Sequence, residues 1–319
     1  MSEESFIQAA RNTLAEMMRN DPSVVVLGED VSSGGPFGLT KNLFEEFGAQ
    51  RVRNTPISEL SFVGVGIGMA LGGSKPVIDL MFDDFLTLAS DQLFNQAAKI
   101  HFMSGGRYSV PLVLWTVAGA GSRWGAQHSQ HLVGWLMQVP GLKVVAPSTP
   151  AMARISLCAA IDDPDPVVII VDRAVLYRKG ELPGDNGSPF LSRVVRSGEQ
   201  LSLVASGRLL FEALEVVDEL GLSIEVIDLQ RLSPLDVGII CDSVHKTGKL
   251  LIVHEEVEIG GLSALIAKGV YDREYWSLDA PIVSVNAPST PVPAAPTLED
   301  AYLVSKQKIR NAILATISA

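Results

Sequence analysis

The sequence predicts an α/β protein made of two three-layer α/β/α domains with mainly parallel sheets. Three observations carry that expectation. Short continuous apolar runs recur along the chain, helical patterns fall between several of them, and the alternation is broken once, near Lys179, by a polar segment rich in Gly and Pro. Uninterrupted apolar strands separated by helices belong to parallel sheets covered on both faces.

A helical pattern from Ser5 to Asn20 comes first, followed by the strand Val24-Val25-Val26-Leu27. Further strands are expected at Pro76–Met81, Pro111–Thr116, Leu142–Ala146 and Pro166–Val171, with helices over Leu86–Phe102 and Pro150–Ile161. The stretch from Lys179 to Pro189 reads as a linker, and its Gly184-Asp185-Asn186 as a turn, because those residue types favour turns. Alternation then resumes. Strands are expected at Leu201–Ala205, Ser223–Leu229, Lys249–His254 and Ile282–Val285. Helices are expected at Leu209–Leu220, Asp236–Thr247, Gly261–Tyr271 and, as one last element, Leu298–Ile317. This divides the chain into a first domain over 1–178, a linker over 179–192 and a second domain over 193–319.

Of the 319 residues, 47% are hydrophobic and only 19% charged, which calls for large cores or burial against partners. The net charge of −11 and the lack of any basic run argue against nucleic acid or an anionic membrane as partner. No apolar stretch reaches the roughly 18–20 residues that span a bilayer. The acidic, polar start Met1-Ser2-Glu3-Glu4-Ser5 reads as neither a signal nor a transit peptide, so a cytoplasmic protein is expected. Cys158 and Cys241 lie far apart in apolar helical contexts and read as free thiols of a reducing compartment. No Cys/His spacing suggests zinc, no Gly-x-Gly-x-x-Gly follows the first strand, and no Walker loop is present.

Four features stand out in the first domain. Glu59 stands at the mouth of a charge-free, glycine-rich segment, Phe62 to Gly73. Burying a carboxylate is costly unless something binds it, so Glu59 is a functional candidate; alone, Ser58-Glu59 also reads as a helix cap with a first-turn acid. Gly64, Gly66 and Gly68 in that segment read as close helix packing or backbone approach to a ligand. Phe85, in Met81-Phe82-Asp83-Asp84-Phe85, follows a strand, where open α/β sheets bind ligands, and an aromatic there can stack on a planar ring; alone, it reads as plain core. Asp91 to Lys99 is a helix with many amides, otherwise a polar helix face. Last, the glycine-rich loop Gly119 to His131 carries His128 and His131; a mobile loop after a strand is a common carrier of an acid/base group.

Together these features resemble the β subunit of the thiamin-diphosphate-dependent decarboxylating component of 2-oxo acid dehydrogenase complexes, the family of pyruvate, branched-chain 2-oxo acid and acetoin dehydrogenases. The stretches that carry the resemblance are LGEDV (27–31), RVRNTPISELSFVGVGIGMAL (51–71), FDDF (82–85), DQLFNQAAKI (91–100), MSGG (103–106), GAQHSQ (125–130), PGLKVVAPSTP (140–150), DDPDPVVI (162–169), HEEVEIGG (254–261) and PSTPVPAAPTLEDAYL (288–303). They span essentially the whole chain in family order.

The resemblance implies a pyrimidine-type thiamin-diphosphate-binding domain followed by a transketolase C-terminal-like domain. It implies that Glu59 hydrogen-bonds the cofactor's aminopyrimidine, that Phe85 stacks on that ring, that Met81 and Ile57 contact the cofactor, and that Glu29 is an acid near it. His128 then orients substrate or intermediate and aids transfer to a lipoyl group, with His131 the weaker candidate. Backbone around Leu112, Ala160, Ile161, Asp163 and Asp165 matches a structural potassium region, although Asp163-Pro164-Asp165-Pro166 reads equally as a helix-stop turn. The diphosphate domain with its Mg2+ ligands is expected on a separate α subunit, giving an α2β2 heterotetramer that serves a lipoyl acyltransferase core and acts on a small 2-oxo acid. Two alternatives from other classes are the small subunit of a split transketolase-like ketol transferase and a non-catalytic α/β binding subunit. Trp115, Arg123 and Trp124 depart from the family pattern and are expected to alter the substrate pocket; Gly260-Gly261-Leu262-Ser263-Ala264 lacks an acid that often follows these glycines.

Overall fold

The computed structural model describes residues 4–182 and 188–319; the turn expected at Gly184-Asp185-Asn186 lies outside the described residues. The first region begins with α1 (Phe6–Asn20), whose Ser5 cap and Gln8 close a reciprocal capping box. It continues through β1 (Val24–Gly28), α2 (Leu43–Phe47), β2 (Val52–Asn54), α3 (Glu59–Leu71), β3 (Lys75–Phe82), α4 (Leu86–Asp91), α5 (Ala98–Met103), β4 (Val113–Ala118), α6 (Val133–Met137), β5 (Lys143–Val145), α7 (Pro150–Asp162) and β6 (Val167–Asp172). The second contains β7 (Arg193–Arg196), β8 (Leu201–Ala205), α8 (Gly207–Leu220), β9 (Ile224–Asp228), β10 (Arg231–Ser233), α9 (Val237–Thr247), β11 (Leu250–Val257), α10 (Leu262–Glu274), β12 (Val283–Ala287), α11 (Pro296–Tyr302) and α12 (Lys306–Ser318).

Seven strands form the first sheet in the order β10-β5-β6-β4-β3-β1-β2, and five form the second in the order β12-β11-β8-β9-β7. All pairings are parallel except β10 with β5 and β7 with β9, both at sheet edges. The buried patterns of β1, β4 and β8 are unbroken, as expected of strands covered on both faces. One hydrophobic core runs from the α3 and α5 side of the first sheet into the α9 and α10 side of the second, so the two sheets share an interior. A second core lies under α1 and α7, and a third under α8 and α12.

The structure corrects several sequence expectations. The edge strands β2, β7 and β10 carry no continuous apolar run and were not anticipated; β10, from the second region, closes the first sheet. The helix expected over Leu298–Ile317 is two, because Leu303 leaves the helical conformation and Ser305 caps α12 by accepting from the Lys308 amide. The helix over Leu86–Phe102 is interrupted by a π-helical turn at Gln92–Ala97, within the amide-rich segment. Trp115 is completely buried against Phe6 in the core under α1, so it is not a pocket residue. Both cysteines are free thiols, Cys241 buried and Cys158 half-buried. Among the described residues no helix is long and apolar enough to cross a membrane.

Gly66 shows why α3 is glycine-rich: a Cβ there would lie 2.6 Å from the Ile78 side chain of β3. Gly141 is more constrained. Its φ is +94° and a Cβ would lie 2.1 Å from the Ala98 carbonyl oxygen. Gly141→Ala is therefore expected to destabilise the chain by about 2–3 kcal/mol, read as a lower midpoint in denaturant unfolding.

Candidate functional site at the carboxyl edge of the first sheet

Four adjacent parallel strands, β2, β1, β3 and β4, end on the same edge of the first sheet. Every catalytic or cofactor-binding residue expected from the sequence lies at or just beyond one of those ends. Glu29 follows β1, Ile57 and Glu59 follow β2, Met81 is the last residue but one of β3 with Phe85 just after the strand, and His128 sits in the loop after β4. This is where open α/β sheets bind ligands.

Glu59 is the first residue of α3, only 6% exposed. Ser58 holds the cap position, yet its hydroxyl makes no cap hydrogen bond and turns instead to Ser61 Oγ at 2.7 Å. Capping therefore does not account for this pair. Glu29 is buried beside it, with Oε1 lacking a partner. Burial, and then the charges of Glu59 and Asp30, push the Glu29 carboxyl up, against the pull of the Ser58 amide. Ile57 projects outward, 83% exposed.

Met81 is buried and adopts φ +66°, in the left-handed region, where β3 shifts register against β4. Such strain costs on the order of 1–3 kcal/mol and collects at functional sites. The turn is braced by Asp79, whose Oδ1 accepts from the Met81 amide at 3.1 Å while Oδ2 has no partner. Burial pushes the Asp79 carboxyl up to about 6.

Phe85 and His128 are brought together, with ring centroids 5.6 Å apart and edge to face. Of the residues that surround them, sequence reasoning singled out Trp124 but missed Phe82, Phe37 and Arg173. Phe82 lies 4.8 Å from the His128 ring, and Trp124 packs against Phe82 at 5.1 Å and stacks on Phe37 at 6.0 Å. Arg173, just past the end of β6, lies 4.3 Å over the Trp124 ring and donates to the His128 carbonyl. Its position at the end of an apolar strand was the one available signal. Trp124 thus lies beside the Phe82 ring that packs on His128.

The loop from Gly119 to Leu132 is tied down by buried acids. Asp84 accepts from Gln130 Nε2 at 2.8 Å, and Asp83 from the Leu132 amide at 2.6 Å. Burial, then the neighbouring Asp84 and Glu256, push Asp83 up to about 7. His131 does not join Phe85. It faces His254 at 4.8 Å, and burial holds it down at about 4. It lines a cleft of about 440 Å³ between the loop and the second region, with Gln130, Glu255, Glu256, Ser289 and Tyr302. A larger apolar groove of about 710 Å³, at Tyr271, Tyr275 and Trp276, lies away from all of these groups.

The residues read for potassium gather around the end of α7. Leu112, Ala160 and Ile161 are buried, and the Leu112 carbonyl accepts from the Val167 amide. Lys143 Nζ lies 2.7 Å from Asp163 and 3.0 Å from Asp165, and Asp163 Oδ1 accepts from the Asp165 amide at 2.9 Å, the contact of a helix-stop turn. Among the described residues no group of three or more His, Cys, Asp or Glu could hold a metal ion.

Comparison with known proteins decides the family. Residues 3–179 match the transketolase pyrimidine binding domain and residues 192–309 the transketolase C-terminal domain. The chain is 40% identical to the acetoin:2,6-dichlorophenolindophenol oxidoreductase subunit beta of Bacillus subtilis, over 97% of this chain and 96% of that one. It is 39% identical to the pyruvate dehydrogenase E1 component subunit beta of Gracilaria tenuistipitata, over 98% and 99%. The chain belongs to the family of E1 β subunits of 2-oxo acid dehydrogenases. The 2-oxoisovalerate dehydrogenase subunit beta of Bacillus subtilis is a further relative, 37% identical over 98% of each chain. A split-gene transketolase, solved as an inactive β4 tetramer, shares the fold at a TM-score of 0.79 and 22% identity, covering 99% of each chain. Membership favours the dehydrogenase reading over the ketol transferase and binding-subunit alternatives, and thiamin diphosphate is the cofactor of this family.

Asp79 gives a pH test of the strained turn. Its folded pKa, raised to about 6, lies above that of an unfolded aspartate, so the native chain holds the extra proton and the group costs stability as pH rises through 6. Relative to Asp79→Asn, the wild type should lose on the order of 1–2 kcal/mol of unfolding free energy between pH 5 and pH 8, measured in denaturant.

Proposed function

We propose that this chain is the β subunit of a complex that, with an α subunit, decarboxylates a small 2-oxo acid or cleaves acetoin on thiamin diphosphate and passes the acyl group to a lipoyl domain of an acyltransferase core. The observation that carries this reading is the placement of Glu59, Glu29, Phe85 and His128 along one sheet edge, in a chain that resembles E1 β subunits over nearly its full length.

The residues present suit the cofactor's aminopyrimidine. Glu59 is buried at the positive end of α3, Glu29 carries a buried oxygen without a partner, and the Phe85 ring is half-buried at the same edge. Glu59 would hydrogen-bond the pyrimidine with Glu29 beside it, Phe85 and Met81 would hold the ring, and Ile57 would contact the cofactor. When bound, thiamin diphosphate supplies the electron sink for loss of carbon dioxide. His128, held by its carbonyl and packed against Phe82 and Phe85, presents its imidazole to substrate and to the acyl acceptor. Trp124 and Phe82 give that position an apolar wall.

Diphosphate and Mg2+ are assigned to the α subunit. The outward face of α3 supports such a partner: Leu60, Val65 and Leu71 are exposed, no charge interrupts them, and Gly68 has nothing within 4 Å of its Cβ position. An α2β2 assembly fits this face. Free thiols fit a reducing compartment, and we assign the complex to the cytoplasm. The Lys143 ammonium pairs with the Asp163 and Asp165 side chains, and a potassium ion on the backbone carbonyls around Leu112, Ala160, Ile161, Asp163 and Asp165 remains part of the proposal.

Two experiments test the reading. In the reconstituted complex, Glu59→Gln is expected to lower 2-oxo acid or acetoin turnover at least about 100-fold with assembly intact; unchanged turnover would remove Glu59 from the mechanism. Gly68→Leu is expected to leave the melting temperature of the chain within a few degrees while abolishing co-elution with the α subunit on size exclusion; normal co-elution would move the interface elsewhere.

A further inference from the structure

The loop that carries His128 is held largely from the other domain. Glu299 of α11 is fully buried and accepts from the amides of Gly121 at 2.8 Å and Arg123 at 3.0 Å, and from Arg123 Nη1 at 2.8 Å. Glu255, near the end of β11, accepts from the Ala120 amide at 3.2 Å. Its neighbour Glu256 accepts from the amide of Gly134 at 2.7 Å, just beyond the loop. Arg123 Nη2 also reaches Asp300 at 2.6 Å.

These contacts are not explained by folding economy. A buried carboxylate is costly unless charge-assisted hydrogen bonds compensate it. Here two such groups direct those bonds to the amides of Ala120, Gly121 and Arg123, in an irregular, glycine-rich segment that has no strand or helix partner for them. Arg123 is itself in the left-handed region at φ +63°, and the next residue, Trp124, forms the aromatic wall beside His128. The backbone path into the His128 site is therefore set by Glu299 and Glu255, across residue separations of 176 and 135.

We propose that Glu299 and Glu255 are positioning residues for catalysis: acids of the second domain that fix the loop from which Trp124 and His128 face the substrate. They touch neither substrate nor cofactor and act through the loop. This rests on the proposed function, since it assumes that His128 works on the acyl group.

The test uses the reconstituted complex with thiamin diphosphate and Mg2+. Glu299→Gln keeps the shape, but its NH2 replaces one acceptor oxygen, so a donor faces either the Gly121 amide or the Arg123 amide and Nη1, and the charge is lost. Amide hydrogen exchange in the 119–134 peptide should accelerate at least about tenfold, with the rest of the chain unchanged. Turnover should fall at least about tenfold, with KM changing far less. In a His128→Ala background the same substitution should cost nothing further, because residues acting through one group are not additive. Should Glu299→Gln fail to fold, Arg123→Ala, which cuts only the partly exposed arm of the clamp, should show the same local exchange pattern in weaker form. Unchanged loop exchange, or a full additional loss in the His128→Ala background, would overturn the proposal. A wild-type complex inactive on every 2-oxo acid and on acetoin would instead defeat the functional reading. The exchange arm, which needs no substrate, keeps the two failures apart.

Discussion

Everything at this site depends on holding carboxylates out of water at the carboxyl edge of a parallel sheet. Glu59, Glu29, Asp79, Asp83, Asp84, Glu255 and Glu299 are all buried there. The fold compensates most of them with backbone amides: Met81 for Asp79, Leu132 for Asp83, Ala120 for Glu255, and Gly121 and Arg123 for Glu299. Each such bond fixes a turn or loop, so the acids that do no chemistry give the site its shape. Glu29, Asp79, Asp83, Asp84 and Glu255 each keep one buried oxygen without a partner, and of these Glu29 is the one beside Glu59. The site is rigid where its acids are satisfied and can take a ligand where they are not.

The parallel interior of the fold was legible because strands covered on both faces are continuous apolar runs. Leu201–Ala205 and Val24–Leu27 stand out for that reason, and the observed strands match them or extend them by one residue. The edges were not legible. Arg193–Arg196 and Arg231–Ser233 pair antiparallel through their backbones and carry no distinctive side-chain pattern. The break at Leu303 was hidden because the residues on either side keep a helical pattern and only a serine cap separates them.

The candidate site divides along the same line. Residues announced by local pattern, such as an acid before an apolar helix or a ring after a strand, could be named from the sequence. Residues whose meaning comes from distant contacts could not. Arg173 reads as an ordinary arginine until it is seen over Trp124 and on the His128 carbonyl. Glu299 sits in an unremarkable Pro- and Ala-rich stretch, and nothing local hints that it holds a loop 176 residues away. Trp115 misled in the other direction: as a large residue at a family position it suggested the pocket, but an inward-facing place on β4 puts it in the core.

The central claim is that this chain holds half of a cofactor site, the pyrimidine half, and needs a second chain for the other half. Calorimetric titration of thiamin diphosphate with Mg2+ tests it most directly, into the chain alone and then into its mixture with the α subunit. The account predicts no saturable binding to the chain alone, and stoichiometric binding to the mixture that is weakened when Glu59 becomes Gln. Tight, Mg2+-dependent binding to the chain by itself would contradict it.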